Sequence, residues 1–574
     1  MGLTNPLNIY RMIILGIKLT HDSALALIDN GKLIFSYEME KLENRERHSE
    51  FTIGLPKVRE ILWEHGYSME QVHRIVIDGW VDCNFEITLD DSRKATLKVA
   101  GYGQVLEKDE DILEATSFEH PEHNLFYKSY KHISCHAVGA YCTSPFAREK
   151  EDSFVLVWDG AMPPQLLYYQ YSTNSFLNLG HLFLFGGFVY TDFAREFRPF
   201  CDYEGGLSLA GKIMAYIALG SVKEEVLISF RKIFADIATL IEYNTVNYRM
   251  VEFMTREFIK RVAELESLKH ISHDDMLASF HAFVQELLIK NLEKKIKEYP
   301  AFQNNLCFSG GLALNIKWNS GLRSSGIFRS VWVPPFPNDA GGAIGTACCE
   351  MMVTDNIRAL KWDVYSGPMI GGAETGKSEY FVYPCSIKEL ACILHNYDEP
   401  VVFLNGAAEL GPRSLGNRSI LAPPTSLAMK DLLNEIKGRE KYRPVAPICL
   451  EEDAPEIFDP GYPDPYMLFE HMVKEQWTNK VPAICHLDGS ARLQTVNKDQ
   501  NELIYELLVH YKKLSGIPLL CNTSANFNGK GFFPDVKSAM QWGKVNFIWS
   551  NGKLYCKHRS FVPGEALKSY SIAI

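Results

Sequence analysis

A chain of 574 residues exceeds what one hydrophobic core usually serves, so at least two domains are expected. With 46% apolar and 22% charged residues it has the make-up of a globular enzyme, and a net charge of −11 argues against a nucleic-acid binder, which carries a basic stripe. Its thirteen cysteines are scattered without a CxxC pair, which excludes zinc-ribbon and thioredoxin readings and suits a reducing compartment.

No stretch approaches the roughly 18 apolar residues of a membrane span. The opening MGLTNPLNIYRMIILGI lacks the cationic, apolar and cleavage regions of a signal peptide, and Pro6 breaks the myristoylation pattern. A cytoplasmic protein is expected.

In chain order, MIILGI (12–17) predicts a buried strand. Asp29-Asn30-Gly31 predicts a hairpin turn, followed by the strand KLIFSYEM. SFVLVW (153–158) predicts a second buried strand that runs into Asp159-Gly160, and LLYYQYST a further one. Between 223 and 300, apolar residues recur at three- and four-residue steps, as in HDDMLASFHAFVQELLIKNLEKKIKEY, and predict helices. NLCFS (305–309) predicts a third buried strand, with Gly310-Gly311 and the helix-like LALNIKWNSGL after it. Turn residues and charge over 353–380 read as a connector. No internal repeat and no low-complexity tract is visible.

Three buried strands end in small or acidic residues, at ILGIKLTHDSA, VLVWDGAM and CFSGGLALN. Backbone N–H groups at such turns can approach phosphate, and three in order build one nucleotide site in actin-like ATPases and sugar kinases. There is no P-loop, and no GxGxxG after the first strand. His132 and His136, in YKHISCHAVGAY, share one helical face, as chelation requires. With Asp159 and Asp339 they make a site for iron, manganese or magnesium. Ile133 stands where a metalloprotease of the HExxH type needs glutamate. His21 follows the first strand and can move a proton near a nucleotide; Lys212 can reach a phosphate.

Further on, seven Lys or Arg fall between Arg413 and Arg443 of an otherwise acidic chain. Arg413 and Arg418 sit among small residues in GPRSLGNRSI, where guanidinium groups can fork onto phosphate oxygens. Lys437 and Arg443 add positive field. Arg492 in ARLQTV, with Asn522, Ser524 and Asn526 in CNTSANFNG, are further polar residues beside strand ends.

These blocks resemble the NodU/CmcH carbamoyltransferase family, whose members modify antibiotics and nodulation factors. The resemblance runs from ILGIKLTHDSALALIDNGKLIFSYEMEK to CNTSANFNGKGFFPD, and its most specific piece is GPRSLGNRSILAPP with KGREKYRPVAP. The N-terminal part looks nearest to the cephem-carbamoylating branch. The resemblance implies an α/β protein: an actin-like ATPase domain of the threonylcarbamoyl-transferase type over 1–364, then a YrdC-like α/β domain over 365–574. It implies carbamoyl phosphate at Arg413, Arg418, Lys437, Arg443, Arg492, Ser524 and Asn526. It implies a metal on His132, His136, Asp159 and Asp339, with Fe2+ favoured over Mn2+ or Mg2+. ATP is expected at Gly310, Gly311 and Asn315, with Lys212 assisting, and His21 at the catalytic position. Carbamate made in the second domain would pass to the first, become carbamoyl-adenylate, and move to a small-molecule hydroxyl. The expected partners are carbamoyl phosphate and that acceptor, with no nucleic acid and no membrane, and a homodimer is an open option. The chain departs from the family at Met39-Glu40-Lys41, which bears on the acceptor pocket, and at Lys131, Ser414 and Ala525. A threonylcarbamoyl transferase acting on tRNA and a non-catalytic ATP-binding actin-like protein are the competing readings; the acidic charge and the arginine blocks count against them.

Overall fold

The computed structural model describes residues 11–558 apart from 82–83, 91, 104–105, 107–110, 122–124, 241–246 and 373–379; the Pro6 expectation lies outside them. The first sheet has the strand order Lys32–Glu38, Ala24–Asp29, Ile13–Lys18, Arg74–Asp78, Leu125–Tyr130, Ala115–His120. All six residues of its central strand Ile13–Lys18 are buried, which is why that segment reads as an unbroken apolar run. The turn after Asp29 is as expected: Asn30 and Gly31 have φ of 48° and 75°, the two left-handed residues of a tight hairpin. The strand Ala24–Asp29 that leads into this turn was not foreseen.

The second sheet runs Ser175–His181, Gln165–Gln170, Ser153–Val157, Asn305–Ser309, Ser330–Trp332. In both sheets three antiparallel strands come first and two later strands join in parallel on the far side of the first, with Ala115–His120 added to the first sheet as an antiparallel edge. The chain therefore repeats a topology without repeating a sequence, because burial constrains apolar character and not residue identity.

Helices His132–Cys142 and Gly342–Thr354 pack on one another and against the strands of both sheets. Every residue of His132–Cys142 is buried, so it is apolar all round and shows no amphipathic stripe. Close approach depends on glycine: a Cβ on Gly345 would lie 2.1 Å from the carbonyl oxygen of Cys135. The helices expected over 223–300 are Glu224–Ala238, Tyr248–Glu264 and His273–Ile296.

Inside the last of these, His281 is 5% exposed, stacked 5.3 Å from Trp318 and 3.0 Å from the Tyr190 hydroxyl. Burial pushes its imidazole down to about 3. Below pH 6.5 the unfolded chain takes up a proton that the folded one refuses, so stability falls from there towards pH 3, by up to about 1.4 kcal/mol per pH unit. His281→Leu is expected to lose about 1–3 kcal/mol at pH 7, where the Tyr190 hydroxyl loses its partner, yet to show a shallower decline between pH 7 and 5 in urea titrations. An unchanged acid slope would count against the buried neutral imidazole.

The third sheet is mixed and has eight strands, in the order Phe381–Pro384, Lys553–Cys556, Phe547–Ser550, Val401–Leu404, Arg418–Ala422, Leu519–Ser524, Ala446–Leu450, Gln494–Val496. The fold is thus mixed α/β throughout. Among the described residues no helix or strand lies between Thr354 and Phe381, as the connector reading expected. Lys41 ties the N-terminal part of the chain to the segment around Glu409–Gly411. Its ammonium, 1% exposed, donates to Glu38 Oε1 and to the carbonyls of Glu409 and Gly411 at 2.6–2.7 Å. The departure at 39–41 therefore serves this seam. No helix among the described residues is long and apolar enough to cross a membrane.

Candidate functional site

Parallel strands of the first two sheets end at one crevice, the place where open α/β sheets put their ligands. Lys18, Asp78 and Ser309 are the last residues of three of these strands, Asp159 lies just past a fourth, and His132 opens the helix after a fifth. His132 Nε2 lies 3.1 Å from His136 Nε2 and 3.4 Å from Asp339 Oδ1; His136 Nε2 lies 3.5 Å from that same oxygen. One ligand atom from each of His132, His136, Asp159 and Asp339 falls within 4.8 Å of the others, and all four residues are buried. The sequence-predicted quartet is therefore one cluster.

Its orientation comes from outer partners. Asp78 Oδ2 holds His132 Nδ1 at 2.9 Å, which leaves Nε2 of the neutral ring as a lone pair aimed inward. Tyr102 donates to Asp159 Oδ2 and the Gly311 N–H donates to Asp159 Oδ1, each at 2.6 Å. Lys18, 1% exposed, lies 3.1 Å from Asp78 and 3.0 Å from Asp339, with the Trp80 ring 4.2 Å away. Burial opposes charge on His132, but Asp78 and Asp339 outweigh it and hold the imidazolium well above its usual range. Burial likewise works against the Asp339 carboxylate, and Lys18 and His132 overcome it and hold that group well below its usual range. With both imidazoles neutral, as ligation requires, three carboxylates face one ammonium, an imbalance of two negative charges that a divalent cation matches and that, without one, the His132 proton partly offsets. Two imidazole nitrogens with two carboxylates suit Fe2+ or Mn2+ better than all-oxygen Mg2+ chemistry. The residues fit a metal.

His21 faces the cluster, its Nε2 3.4 Å from Asp339 Oδ2 and its Nδ1 3.1 Å from Asp22. Gly310 makes the turn after the strand Asn305–Ser309 at φ 95°, where a Cβ would lie 2.3 Å from the Trp158 carbonyl oxygen. The Asn315 side chain accepts from the backbone N–H groups of Lys317 and Trp318 and caps the helix Ile316–Ser324. The Lys212 ammonium is engaged by Glu440 at 2.6 Å and sits over the Tyr203 ring, and its neighbour Gly211 lines a second cavity.

That second cavity, about 100 Å³, is walled by Arg47, Lys317, Arg413, Arg439, Arg443 and Arg492, against the single carboxylate of Asp488. The chain turns sharply into it. Buried Glu409 Oε1 accepts the N–H groups of Leu415, Asn417 and Arg418 at 2.7, 2.7 and 3.1 Å, which folds GPRSLGNR into a loop. Desolvation, then repulsion from Arg492, Arg47, Arg443 and Arg439, pushes Arg413 well below its usual range; Arg439 falls to about 9 and Arg492 to about 10. The Nε atoms of Arg47, Arg413 and Arg492 are buried without a hydrogen-bond partner. Like charges so arranged are costly unless an anion meets them.

Ser524 lines this cavity with Arg413, Arg443 and Arg492, as expected. Arg418, Lys437 and Asn526 do not. The Arg418 guanidinium donates to the carbonyls of Asn405, Gly406, Asn417 and Pro368 at 2.6–3.1 Å. Lys437 donates to the Ser524 and Asn526 carbonyls at 2.7 and 3.1 Å and to Asn526 Oδ1. Asn526 Nδ2 donates to the carbonyls of Phe527 and Lys530. These three hold the walls: buried cations spend their donors on nearby carbonyls, a choice that residue type alone does not reveal. Lys18, Asp78, Tyr102, Arg47, Lys317 and Arg439 were missed. Asp78 ends an apolar strand just as Asp159 follows one, so that signal was present; Arg47 and Lys317 lie far from the arginine block and carried none.

One chain thus carries a metal-competent crevice and a cavity lined by guanidinium groups. The chain belongs to the carbamoyltransferase family: the carbamoyltransferase N-terminus model matches residues 13–348 and the C-terminus model matches 394–547. Nodulation protein U of Sinorhizobium fredii is 44% identical over 95% of this chain and 99% of its own. The counterpart from Rhizobium tropici is 43% identical over 96% of each. The 3'-hydroxymethylcephem-O-carbamoyltransferase of Amycolatopsis lactamdurans is 31% identical over 91% of this chain and 94% of its own. Over nearly the whole chain the nodulation proteins thus share more identity than the cephem enzyme, and the leaning towards the cephem branch is not followed.

Proposed function

We propose that this transferase makes O-carbamoyl products in two chambers of one polypeptide. In the arginine cavity, carbamoyl phosphate and water yield carbamate and orthophosphate. Arg413, Arg443, Arg492 and Ser524 bind the phosphate oxygens, and the surplus of positive charge stabilises the leaving dianion. Carbamate then moves to the crevice and attacks the α-phosphorus of ATP, releasing pyrophosphate and leaving carbamoyl-adenylate. The acceptor hydroxyl attacks the carbamoyl carbon, its proton passes to His21 Nε2, and AMP departs. His132, His136, Asp159 and Asp339 would hold Fe2+, or Mn2+ or Mg2+ in its place, and that ion supplies neutralisation of polyphosphate charge. The backbone around Gly310 and Gly311 cradles the nucleotide. Two sheets of one repeated topology support an actin-like N-terminal unit over 1–364, and a YrdC-like unit over 365–574 supplies the donor cavity.

The observation that carries this reading is the shared wall. Ile316 and Lys317 line the arginine cavity at the start of the helix that follows the Gly310–Gly311 turn. A labile carbamate therefore need not cross bulk water. The acceptor is a small molecule bearing a hydroxyl, as the hydroxymethylcephem in the name of the cephem relatives is. Incubation with carbamoyl phosphate, ATP, Fe2+ and a panel of oligosaccharide and β-lactam alcohols should give one acceptor a mass gain of one carbamoyl group, with orthophosphate, pyrophosphate and AMP formed in equal amounts. Carbamoyl transfer that proceeds fully without ATP would refute the adenylate route.

A further inference from the structure

Two neighbouring residues in the loop after the short helix Met39–Leu42 serve different chambers. Arg47 lines the arginine cavity, although the other guanidinium groups there come from the C-terminal half of the chain. Its Nε is buried without a hydrogen-bond partner, and its charge helps to depress Arg413, Arg439 and Arg492. The loop is stitched to the C-terminal unit: the Arg47 N–H donates to the Gly529 carbonyl at 2.8 Å, and the Gly531 N–H donates to the Arg45 carbonyl at 2.9 Å.

His48 turns the other way. Its Nδ1 lies 2.8 Å from Asp22 Oδ1; Asp22 Oδ2 lies 3.1 Å from His21 Nδ1; His21 Nε2 lies 3.4 Å from Asp339 Oδ2. The backbone N–H of His48 donates to Glu40 Oε2 at 3.2 Å. His48 and Asp22 have φ of 63° and 53°, so both ends of this contact hold left-handed backbone that non-glycine residues adopt only when packing enforces it.

We propose that Arg47–His48 couples the two chambers: a phosphate gripped by Arg47 fixes the loop, and His48 then holds Asp22 and His21 in place at the metal cluster. Arg47 is a donor-binding residue, and His48 and Asp22 are positioning residues. Adenylation is thereby favoured only while a donor occupies the first chamber, which limits futile use of ATP. The inference rests on the two-chamber reading above.

The test uses the full chain as wild type, Arg47→Ala, Arg47→Lys and His48→Asn; asparagine tolerates the left-handed backbone, so the loop is preserved. Inorganic phosphate binding is measured by calorimetry, and orthophosphate and pyrophosphate release are followed with carbamoyl phosphate and ATP. Arg47→Ala should weaken phosphate binding about ten-fold or more, the scale of one charge-assisted hydrogen bond, and should lower the pyrophosphate formed per orthophosphate. Arg47→Lys, which keeps the charge and loses the fork, should fall between. His48→Asn should keep phosphate affinity and orthophosphate release while the ratio drops. Unchanged phosphate affinity in Arg47→Ala, or equal loss of both releases in His48→Asn, would overturn the coupling. Failure of the wild type to release orthophosphate would instead sink the two-chamber reading beneath it.

Discussion

Arg413→Met is expected to cut orthophosphate release from carbamoyl phosphate by at least about 100-fold, while the protein remains as stable as its parent or becomes more so. The two halves of that expectation have one cause. Arg413 is repelled by Arg47, Arg439, Arg443 and Arg492, and desolvation adds to the cost of its charge. Removing one positive charge relieves repulsion, and methionine fills the space. Ordinary paired arginines behave differently, because their loss strands a partner. Repulsion at this cavity is tolerated because an anion uses it, so function falls as stability holds. The lesion also acts before carbamate exists. Concentrated ammonium bicarbonate, which contains carbamate at equilibrium, should therefore bring back pyrophosphate formation in the variant, at a rate below the parent's because an empty first chamber leaves His48 unfixed. A variant that loses stability, or that bicarbonate and ammonia fail to rescue, would contradict this assignment.

His132→Ala should give the opposite pattern. Orthophosphate release should stay near the parent value, while pyrophosphate release and acceptor carbamoylation fall by at least about 100-fold. The substitution removes one inward Nε2 and leaves Asp78 without its 2.9 Å partner. Retained metal after dialysis, measured by elemental analysis, should drop in parallel. A stability loss of about 1–3 kcal/mol is expected from the orphaned carboxylate. Joint loss of both releases in a folded protein would mean that the crevice and the cavity are one site.

The legible parts of this molecule were those with local chemical signatures. An Asn-Gly pair announced the first hairpin, and a four-residue spacing put His132 and His136 on one face. Glycine and proline around Arg413 marked a loop that is neither helix nor strand. Global arrangement left weaker marks. Ala24–Asp29 was passed over because its alternation is hidden by burial of both faces. Arg418 and Lys437 look like their neighbour Arg413 in sequence, but their donors meet carbonyls, and only the fold shows which way a cation points. Arg47 and Lys317 come from segments far from the motifs they serve, so no spacing could reveal them; Lys18 lies inside ILGIKLTHDSA, but its residue type alone did not show that its ammonium turns inward. Lys212 was placed with the nucleotide on residue type alone, and its partner Glu440 lies in the other half of the chain.

Separate chambers are tested most directly by ligand binding without turnover. Inorganic phosphate and a non-hydrolysable ATP analogue with Fe2+ should each bind once per chain and without competition. Arg413→Met should abolish only phosphate binding, and His132→Ala should weaken only nucleotide and metal binding. Mutual displacement of the two ligands, or the loss of both in either variant, would contradict the account.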